Sequence, residues 1–424
     1  MFFLSTSSDA NAPLPTSVLC CGEGEGSQID LYRIDQAVFQ PSVERLILRN
    51  VFFDVETLES TARLITSDVQ RQWKLISLRR CSGQVSEFVK TIFESNVHVE
   101  EFTITNCFHG RCDIPTSVAK GLQEATTPAN NTTTTKGLMS LNLSSNSLSA
   151  SDVIQLCEAL QETSIGLKTL CLSNCALSDD QIAMLVRSLP ASIVELDLSS
   201  NHCRRHGLEA LGRFLTTSQL EKLFLVNQNL STDERLDLTL LAEGIKRSKC
   251  LDQLILTMNR LGGLDALAQA LTVPTSSLRY LRLNDCNLNP KDIEWFFKYF
   301  SKFTNLRGLW LSGRQQFSEF PSSVLDCIRS GTGCPCEEIH FHESFDGKEE
   351  IQQLLDINRV HRVHLPRMET TTLQMWPMVL ERTTVQSTPL PGPLSGMAAN
   401  ELAARRSNIV YELLRNGILL QQNL

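Results

Sequence analysis

The sequence lacks several features that would each assign it to a class of protein. No apolar stretch approaches the roughly 18 to 20 residues of a membrane-spanning helix, and residues 1–4 are too short and lack the basic start of a signal peptide. Acidic residues outnumber basic ones, with a formal net charge of −8, so there is no basic field for a nucleic-acid backbone. We therefore expect a cytoplasmic protein that binds neither membrane nor nucleic acid.

Motifs of common catalytic sites are also absent. The chain has no phosphate-binding P-loop, no glycine-rich dinucleotide turn, no Gly-x-Ser-x-Gly nucleophile motif and no His-Glu-x-x-His zinc motif. Its fourteen cysteines include Cys20-Cys21 and Cys334-Pro335-Cys336, but neither has a second pair at the spacing of a structural zinc site. These absences predict a protein that is not an enzyme and needs no cofactor or metal.

What the sequence does contain is a repeated pattern, plainest at residues 138–148. Apolar residues stand at Leu138, Leu141 and Leu143 and an amide at Asn146, which is the pattern of a leucine-rich repeat. The intervals between successive repeats average about 29 residues. Twelve repeats begin at these apolar residues: Val43, Trp73, Val99, Leu138, Leu167, Ile193, Leu220, Leu251, Leu278, Leu306, Cys336 and Val360.

Each unit predicts a strand, a turn and a helix. The core Leu196-Asp197-Leu198 is typical of a short strand whose alternate side chains point in opposite directions. The segment 178–181, Ser-Asp-Asp-Gln, has the form of a capping box before apolar residues at helical spacing. Stacked units would place the strands in one parallel sheet on the concave side of a curve and the helices on the convex side. The predicted fold is thus an α/β leucine-rich repeat solenoid, or horseshoe.

Units of 28 or 29 residues with a full helix resemble the ribonuclease-inhibitor-like class of leucine-rich repeats, as residues 278–288 (LRYLRLNDCNL) illustrate. Four cysteines fill the position of Asn146 in their own units, where the repeat accepts either residue: Cys81, Cys107, Cys175 and Cys286. The resemblance covers about residues 40–370. It implies a binding function, since the class includes ribonuclease inhibitors, Ran GTPase-activating proteins, innate-immune sensor arrays and actin-regulator arrays.

Composition divides the chain into five segments. We expect a disordered arm over 1–35, the repeat solenoid over 36–370, a helical cap segment over 371–382, a linker over 383–397 and a C-terminal helix over 398–424. The last helix carries its apolar residues on one face. It either covers the exposed final repeat or binds a partner.

The residues between and beside the strand leucines should face the concave surface. In the first two units they are basic: Arg45, Arg49, Arg79 and Arg80. Later units bring apolar, aromatic and basic residues side by side: Phe224, Ile255, Tyr280, Arg282 and Trp310. Adjacent strands lie about 4.8 Å apart, so these five residues should form one patch. Exposed aromatics beside arginine are typical of binding hot spots, and we therefore expect a protein partner to bind there.

Two alternatives stay open. The arginines of the first units would suit the acidic switch surface of a small GTPase, and the resemblance then implies a GTPase-activating protein of the Ran type. His340 and His364 occupy equivalent positions in neighbouring units, and with His342 and Glu338 they could bind a transition metal. We favour a monomeric protein-binding scaffold without metal. No diagnostic residue of the GTPase activators is matched, and a polar concave surface explains the histidines equally well.

Overall fold

A long parallel sheet with helices on one side is the main feature of the computed structural model. The structure describes residues 2–3, 17–21, 43–66, 72–95, 97–107, 118, 138–162, 166–230, 234–286, 288, 290–311 and 336–340. Val360, His342, His364, the cap segment, the linker and the C-terminal helix that the sequence predicts lie outside these residues.

Seventeen strands occur in the described residues: β1 (Phe2–Phe3), β2 (Ser17–Cys21), β3 (Arg45–Arg49), β4 (Phe52–Phe53), β5 (Gln72–Arg79), β6 (Ser82–Gly83), β7 (His98–Thr105), β8 (Ser140–Asn142), β9 (Thr169–Cys171), β10 (Glu195–Asp197), β11 (Lys222–Phe224), β12 (Leu236–Asp237), β13 (Gln253–Ile255), β14 (Leu261–Gly262), β15 (Tyr280–Arg282), β16 (Gly308–Trp310) and β17 (Glu338–His340). Thirteen of them form one sheet in the order β1-β2-β3-β5-β7-β8-β9-β10-β11-β13-β15-β16-β17. All neighbouring pairs in this sheet are parallel except β1 and β2. The remaining four strands form two short sheets, β4 with β6 and β12 with β14.

Helices fill the second half of the units. The same part of the chain contains eight α-helices: α1 (Val55–Thr66), α2 (Val85–Glu94), α3 (Ala150–Glu162), α4 (Asp179–Ser188), α5 (Arg205–Leu215), α6 (Thr239–Arg247), α7 (Leu264–Leu271) and α8 (Pro290–Lys298). Helix α4 begins with the predicted capping box, because the Gln181 N–H donates to Ser178 Oγ at 3.3 Å and the Ser178 N–H donates to Gln181 Oε1 at 2.8 Å. None of the described helices is long and apolar enough to cross a bilayer.

The main sheet confirms the unit register read from the sequence. Each of the eleven predicted unit starts from Val43 to Cys336 is either the second residue of one strand of this sheet or lies two residues before one. Leu196 lies beside Leu170 and Leu223 in the neighbouring strands, and all three side chains are fully buried. Burying a leucine contributes about 1.5–3 kcal/mol, so these in-register leucines form a continuous core. The predicted α/β leucine-rich repeat solenoid is confirmed.

The N-terminal residues correct one expectation. Ser17–Cys21, within the arm predicted to be disordered, forms strand β2 and pairs in parallel with Arg45–Arg49. The prediction of disorder is wrong for these five residues and for Phe2–Phe3, which pairs with them as strand β1. The segment lacks the repeat pattern, but its Val-Leu-Cys run can pair with the open backbone groups at the edge of β3.

A buried polar ladder links successive units. The Asn146 amide donates to the carbonyls of Ile104 and Leu143, both at 2.7 Å, and its Oδ1 accepts from the Cys107 N–H at 3.0 Å. At the same position of the next unit, the Cys175 thiol donates to the Leu143 carbonyl at 3.2 Å. This confirms that cysteine replaces asparagine in the ladder. Nine of the cysteines in the described part, from Cys81 to Cys336, are free.

A sharp turn follows the strands of the main sheet, and the sequence did not predict its backbone. Nine residues that are not glycine have left-handed φ angles, each two positions after the second apolar residue of its strand core: Asn50, Arg80, Asn106, Ser145, Asn174, Ser200, Asn227, Met258 and Asp285. Such conformations cost roughly 1–2 kcal/mol each. The first eight of these residues, Asn50 to Met258, donate their N–H to a carbonyl of the next unit, as Ser200 does to Val226 at 2.7 Å, and this bond offsets the strain.

Candidate functional site

The predicted binding residues lie in a row across the concave face of the later strands. Phe224 pairs in register with Ile255, Ile255 with Arg282, and Arg282 with Trp310. Tyr280 begins the same strand that Arg282 ends. The alternation of the strands therefore places these side chains on one face, opposite the buried leucines.

Trp310 is the centre of a compact cluster within this row. The Tyr280 ring centroid lies 6.1 Å from that of Trp310, and the Arg282 guanidinium carbon lies 4.9 Å from the Trp310 ring centroid. On the other side, the His340 imidazole stacks on the indole with centroids 5.0 Å apart and planes 10° from parallel. We call Tyr280, Arg282, Trp310 and His340 the Trp310 cluster. The sequence suggested that His340 is either a metal ligand or part of a polar concave surface, and the structure places it in this aromatic cluster.

Gly308 provides the space that this arrangement needs. A Cβ atom at Gly308 would lie 2.6 Å from Cζ3 of Trp310 and 2.8 Å from Cδ1 of Tyr280, which is closer than real contacts allow. The indole therefore lies across its own strand only because position 308 has no side chain. Sequence reasoning missed this residue. A glycine inside a strand is the signal that could have found it, since it often marks close approach of another group.

The five predicted residues do not form one uniform exposed patch. Tyr280, Trp310 and Phe224 are half-buried and Arg282 is exposed, but Ile255 is only 7% exposed. The expectation that Ile255 presents an exposed side chain is therefore wrong; Ile255 is buried in the register position between Phe224 and Arg282. Phe224 lies two strands from Arg282, or roughly 10 Å at the usual strand spacing, and forms a second apolar point beyond Ile255.

Most charged groups around the cluster are already paired. Arg279 binds Asp252, and Arg307 binds Glu337, both just before their strands. On the cluster side of the face, a Glu338 carboxylate oxygen lies 3.6 Å from Nε2 of His340. Arg282 takes part in none of the ion pairs recorded between described residues.

The earlier units present different surfaces. Four arginines on the first two units are exposed: Arg45, Arg49, Arg79 and Arg80. In the middle, Lys222 pairs with Glu195 at 3.2 Å, and Asp197 stands beside Cys171. Burial raises the pKa of the Cys171 thiol to about 12, and the Asp197 and Glu195 carboxylates act in the same direction. That thiol is therefore protonated at neutral pH.

The hypothesis of a transition-metal site depends largely on residues outside the part of the chain that the structure describes. His340 and Glu338 are described, whereas His342 and His364 are not. Among described side chains, no group of three or more histidines, cysteines or carboxylates is placed to hold a metal ion. The three-histidine hypothesis therefore stays a prediction.

The stacked units, the in-register parallel strands and the Asn/Cys ladder define a leucine-rich repeat protein of the ribonuclease-inhibitor-like class. Relatives agree with this class. The chain is 36% identical over 162 residues to NACHT, LRR and PYD domains-containing protein 12 of Mus musculus, covering 37% of this chain and 15% of that protein. It is 28% identical over 224 residues to the ribonuclease inhibitor of Sus scrofa, covering 51% of this chain and 48% of the inhibitor.

These matches cover only part of each relative. The chain spans less than half the length of the two relatives named. No family model matches the sequence. Among solved structures, the leucine-rich repeat-containing protein LegL7 from Legionella pneumophila superposes with a TM-score of 0.42 at 16% identity, covering 73% of this chain and 97% of LegL7.

Proposed function

We propose that this protein is a non-catalytic scaffold that binds a partner protein on its concave face, with the Trp310 cluster as the main point of contact. The packing of Tyr280, Arg282 and His340 around Trp310 is the observation that carries the proposal. Tryptophan, tyrosine and arginine carry most of the energy of protein interfaces. A cytoplasmic location belongs to the same proposal and is in keeping with the free cysteines.

The cluster is suited to binding because its side chains are already held in place. Ordering a mobile side chain costs about 0.5–1.5 kcal/mol on association. Trp310 is confined between Tyr280 and His340 over Gly308, so most of this cost is met when the array folds. The buried leucines behind the strands make the platform rigid.

The test is affinity purification with mass spectrometry, using the full-length protein and two variants. Trp310→Ala with Tyr280→Ala should lose the bound partner, since removing a hot-spot residue costs at least ~2 kcal/mol, or on the order of 30-fold in Kd. Trp295→Ala is the matched control. Trp295 is 50% exposed on helix α8 and also contacts a cation, with Lys298 Nζ 4.5 Å from its ring centroid. Retention of all partners by the double variant, or equal loss with Trp295→Ala, would contradict the proposal.

The exposed arginines of the first two units support a second candidate, a GTPase-activating protein of the Ran type. A single-turnover GTP hydrolysis assay with Ran separates the two candidates. The scaffold proposal expects no acceleration by the wild-type protein. An acceleration that Arg49→Ala and Arg79→Ala abolish would favour the GTPase activator instead.

A further inference from the structure

Arg282 is the charged group that gives the Trp310 cluster its chemical preference. Resting on the proposed function, we infer that the partner is a peptide segment that is recognised through one Asp or Glu side chain. One of its carboxylates binds Arg282, and an apolar side chain three residues away binds near Phe224. The inference specifies both the group that is recognised and its spacing.

The availability of Arg282 is the first step. The neighbouring arginines are neutralised internally, Arg279 by Asp252 and Arg307 by Glu337. Arg282 forms no ion pair with another described residue, and its side chain is exposed on the concave face. Glu338, the acid on the cluster side, lies against His340 instead. An exposed guanidinium surrounded by paired charges is complementary to an anionic group on a partner.

The position of the guanidinium over Trp310 favours a carboxylate in particular. The Arg282 guanidinium carbon lies 4.9 Å from the centroid of the Trp310 ring, within range of a cation–π attraction that holds the group there. The N–H groups at its edge stay free to donate two parallel hydrogen bonds to a carboxylate. A partner residue bound there would also contact the Trp310 ring with its methylene groups.

The strand spacing sets the distance to the second contact. Phe224 lies two strands from Arg282, roughly 10 Å away, and Ile255 between them is buried. A peptide in the polyproline II conformation places residues i and i+3 on one side about 9 Å apart. A segment crossing the strands can therefore set an Asp or Glu on Arg282 and an apolar residue near Phe224 when three positions separate them.

Aromatic rings beside arginine also stack nucleic-acid bases, and charge decides between the two ligands. The chain carries a net charge of −8, and Asp197 and Glu338 lie on the same concave face. A polyphosphate chain would be repelled by these carboxylates. A single carboxylate requires only Arg282.

A displayed library of random dodecapeptides, selected against the immobilised full-length protein, tests the inference. The wild-type protein should enrich peptides with Asp or Glu three positions from an apolar residue. Selection against Arg282→Glu should remove this acidic preference. An enriched peptide, synthesised with a fluorophore, should bind Arg282→Gln at least tenfold more weakly, and changing its acidic residue to Gln should cost little further in that variant.

The outcomes separate this inference from the proposed function. Peptides that need Trp310 and Tyr280 but bind Arg282→Gln as well as wild type would overturn the carboxylate contact and leave the scaffold proposal standing. Peptides that bind the Trp310→Ala and Tyr280→Ala variants as tightly as the wild type would contradict both the carboxylate contact and the scaffold proposal. Enrichment without an acidic residue, no enrichment, or binding of a fluorescent oligothymidylate in place of peptides would also overturn the inference. Circular dichroism of each variant checks that the array is folded.

Discussion

Replacing Asn201 with alanine should break the polar ladder between two neighbouring units. Its side chain is fully buried. Its Oδ1 accepts from the backbone N–H groups of Cys175 at 3.1 Å and Leu177 at 3.0 Å. Its Nδ2 donates to the carbonyls of Leu172 at 2.8 Å and Leu198 at 3.0 Å. One side chain thus satisfies backbone groups on both sides of the turn.

The size of the effect follows from the groups that alanine leaves unpaired. Two buried N–H donors lose their acceptor, and each unsatisfied buried group costs about 1–3 kcal/mol, so the loss should be about 2–6 kcal/mol. Cysteine should cost less, because a thiol at this position still donates to a carbonyl, as Cys175 does to Leu143. Asn229→Ala is the control. Asn229 is an exposed asparagine that donates to the Ser200 carbonyl at 3.1 Å, and its removal should change stability by less than about 0.5 kcal/mol.

A local measurement is needed because a repeat array need not unfold in one step. Hydrogen exchange followed by mass spectrometry reports on the amides of Cys175 and Leu177. A loss of 2 kcal/mol should raise their opening equilibrium on the order of 30-fold in Asn201→Ala. The increase in exchange should be largest for Asn201→Ala, smaller for Asn201→Cys and smallest for Asn229→Ala. Equal exchange in Asn201→Ala and Asn229→Ala, or equal damage from cysteine and alanine, would refute the reasoning.

Three further predictions concern single side chains. Asp179→Ala should lower stability by about 1–2 kcal/mol in thermal unfolding, since the carboxylate accepts three backbone N–H groups at the start of helix α5, and no change would contradict this. Gly308→Ala should displace the Trp310 indole and alter the near-ultraviolet circular dichroism. Gly262→Ala is the control and should leave the spectrum unchanged, because the added Cβ would lie 3.6 Å from the nearest neighbouring atom. Because its pKa is raised to about 12, the Cys171 thiol should be alkylated with a rate that keeps rising with pH beyond 9. Asp197→Asn should speed that alkylation at a given pH, and a plateau near pH 9 would show that the pKa is not raised.

The units could be predicted from sequence because the buried positions tolerate little variation. Leu170, Leu196 and Leu223 are fully buried at equivalent places, and only large apolar residues fill them. The left-handed turn residues could not be predicted in the same way. Arg80 and Met258 adopt a conformation normally left to glycine or asparagine, and bonds to the next unit, not local preference, hold them there.

The candidate site was predictable in outline and wrong in detail. Strand alternation placed Tyr280, Arg282 and Trp310 on one face, and the structure brings these three into contact. The exposure of Ile255 could not be read from the sequence, because it depends on how far the side chains of the flanking strands extend over it. The stacking of His340 was also hidden. It requires the exact placement of the Trp310 ring, which Gly308 determines.

In each strand, the side chains that build the core and the side chains that face the concave surface are different residues. Leu281 and Leu309 are fully buried and support the array, whereas Tyr280 and Arg282 on either side of Leu281 face the concave side. Changes at the outer positions should therefore alter binding with little effect on stability. Gly308 is the exception, because the absence of a side chain at this strand position allows the Trp310 ring to lie over it on the concave surface. A glycine there weakens the strand by roughly 0.5–1 kcal/mol relative to alanine, and what it provides in return is the position of the Trp310 ring. The cost is understandable if that ring position is needed for binding.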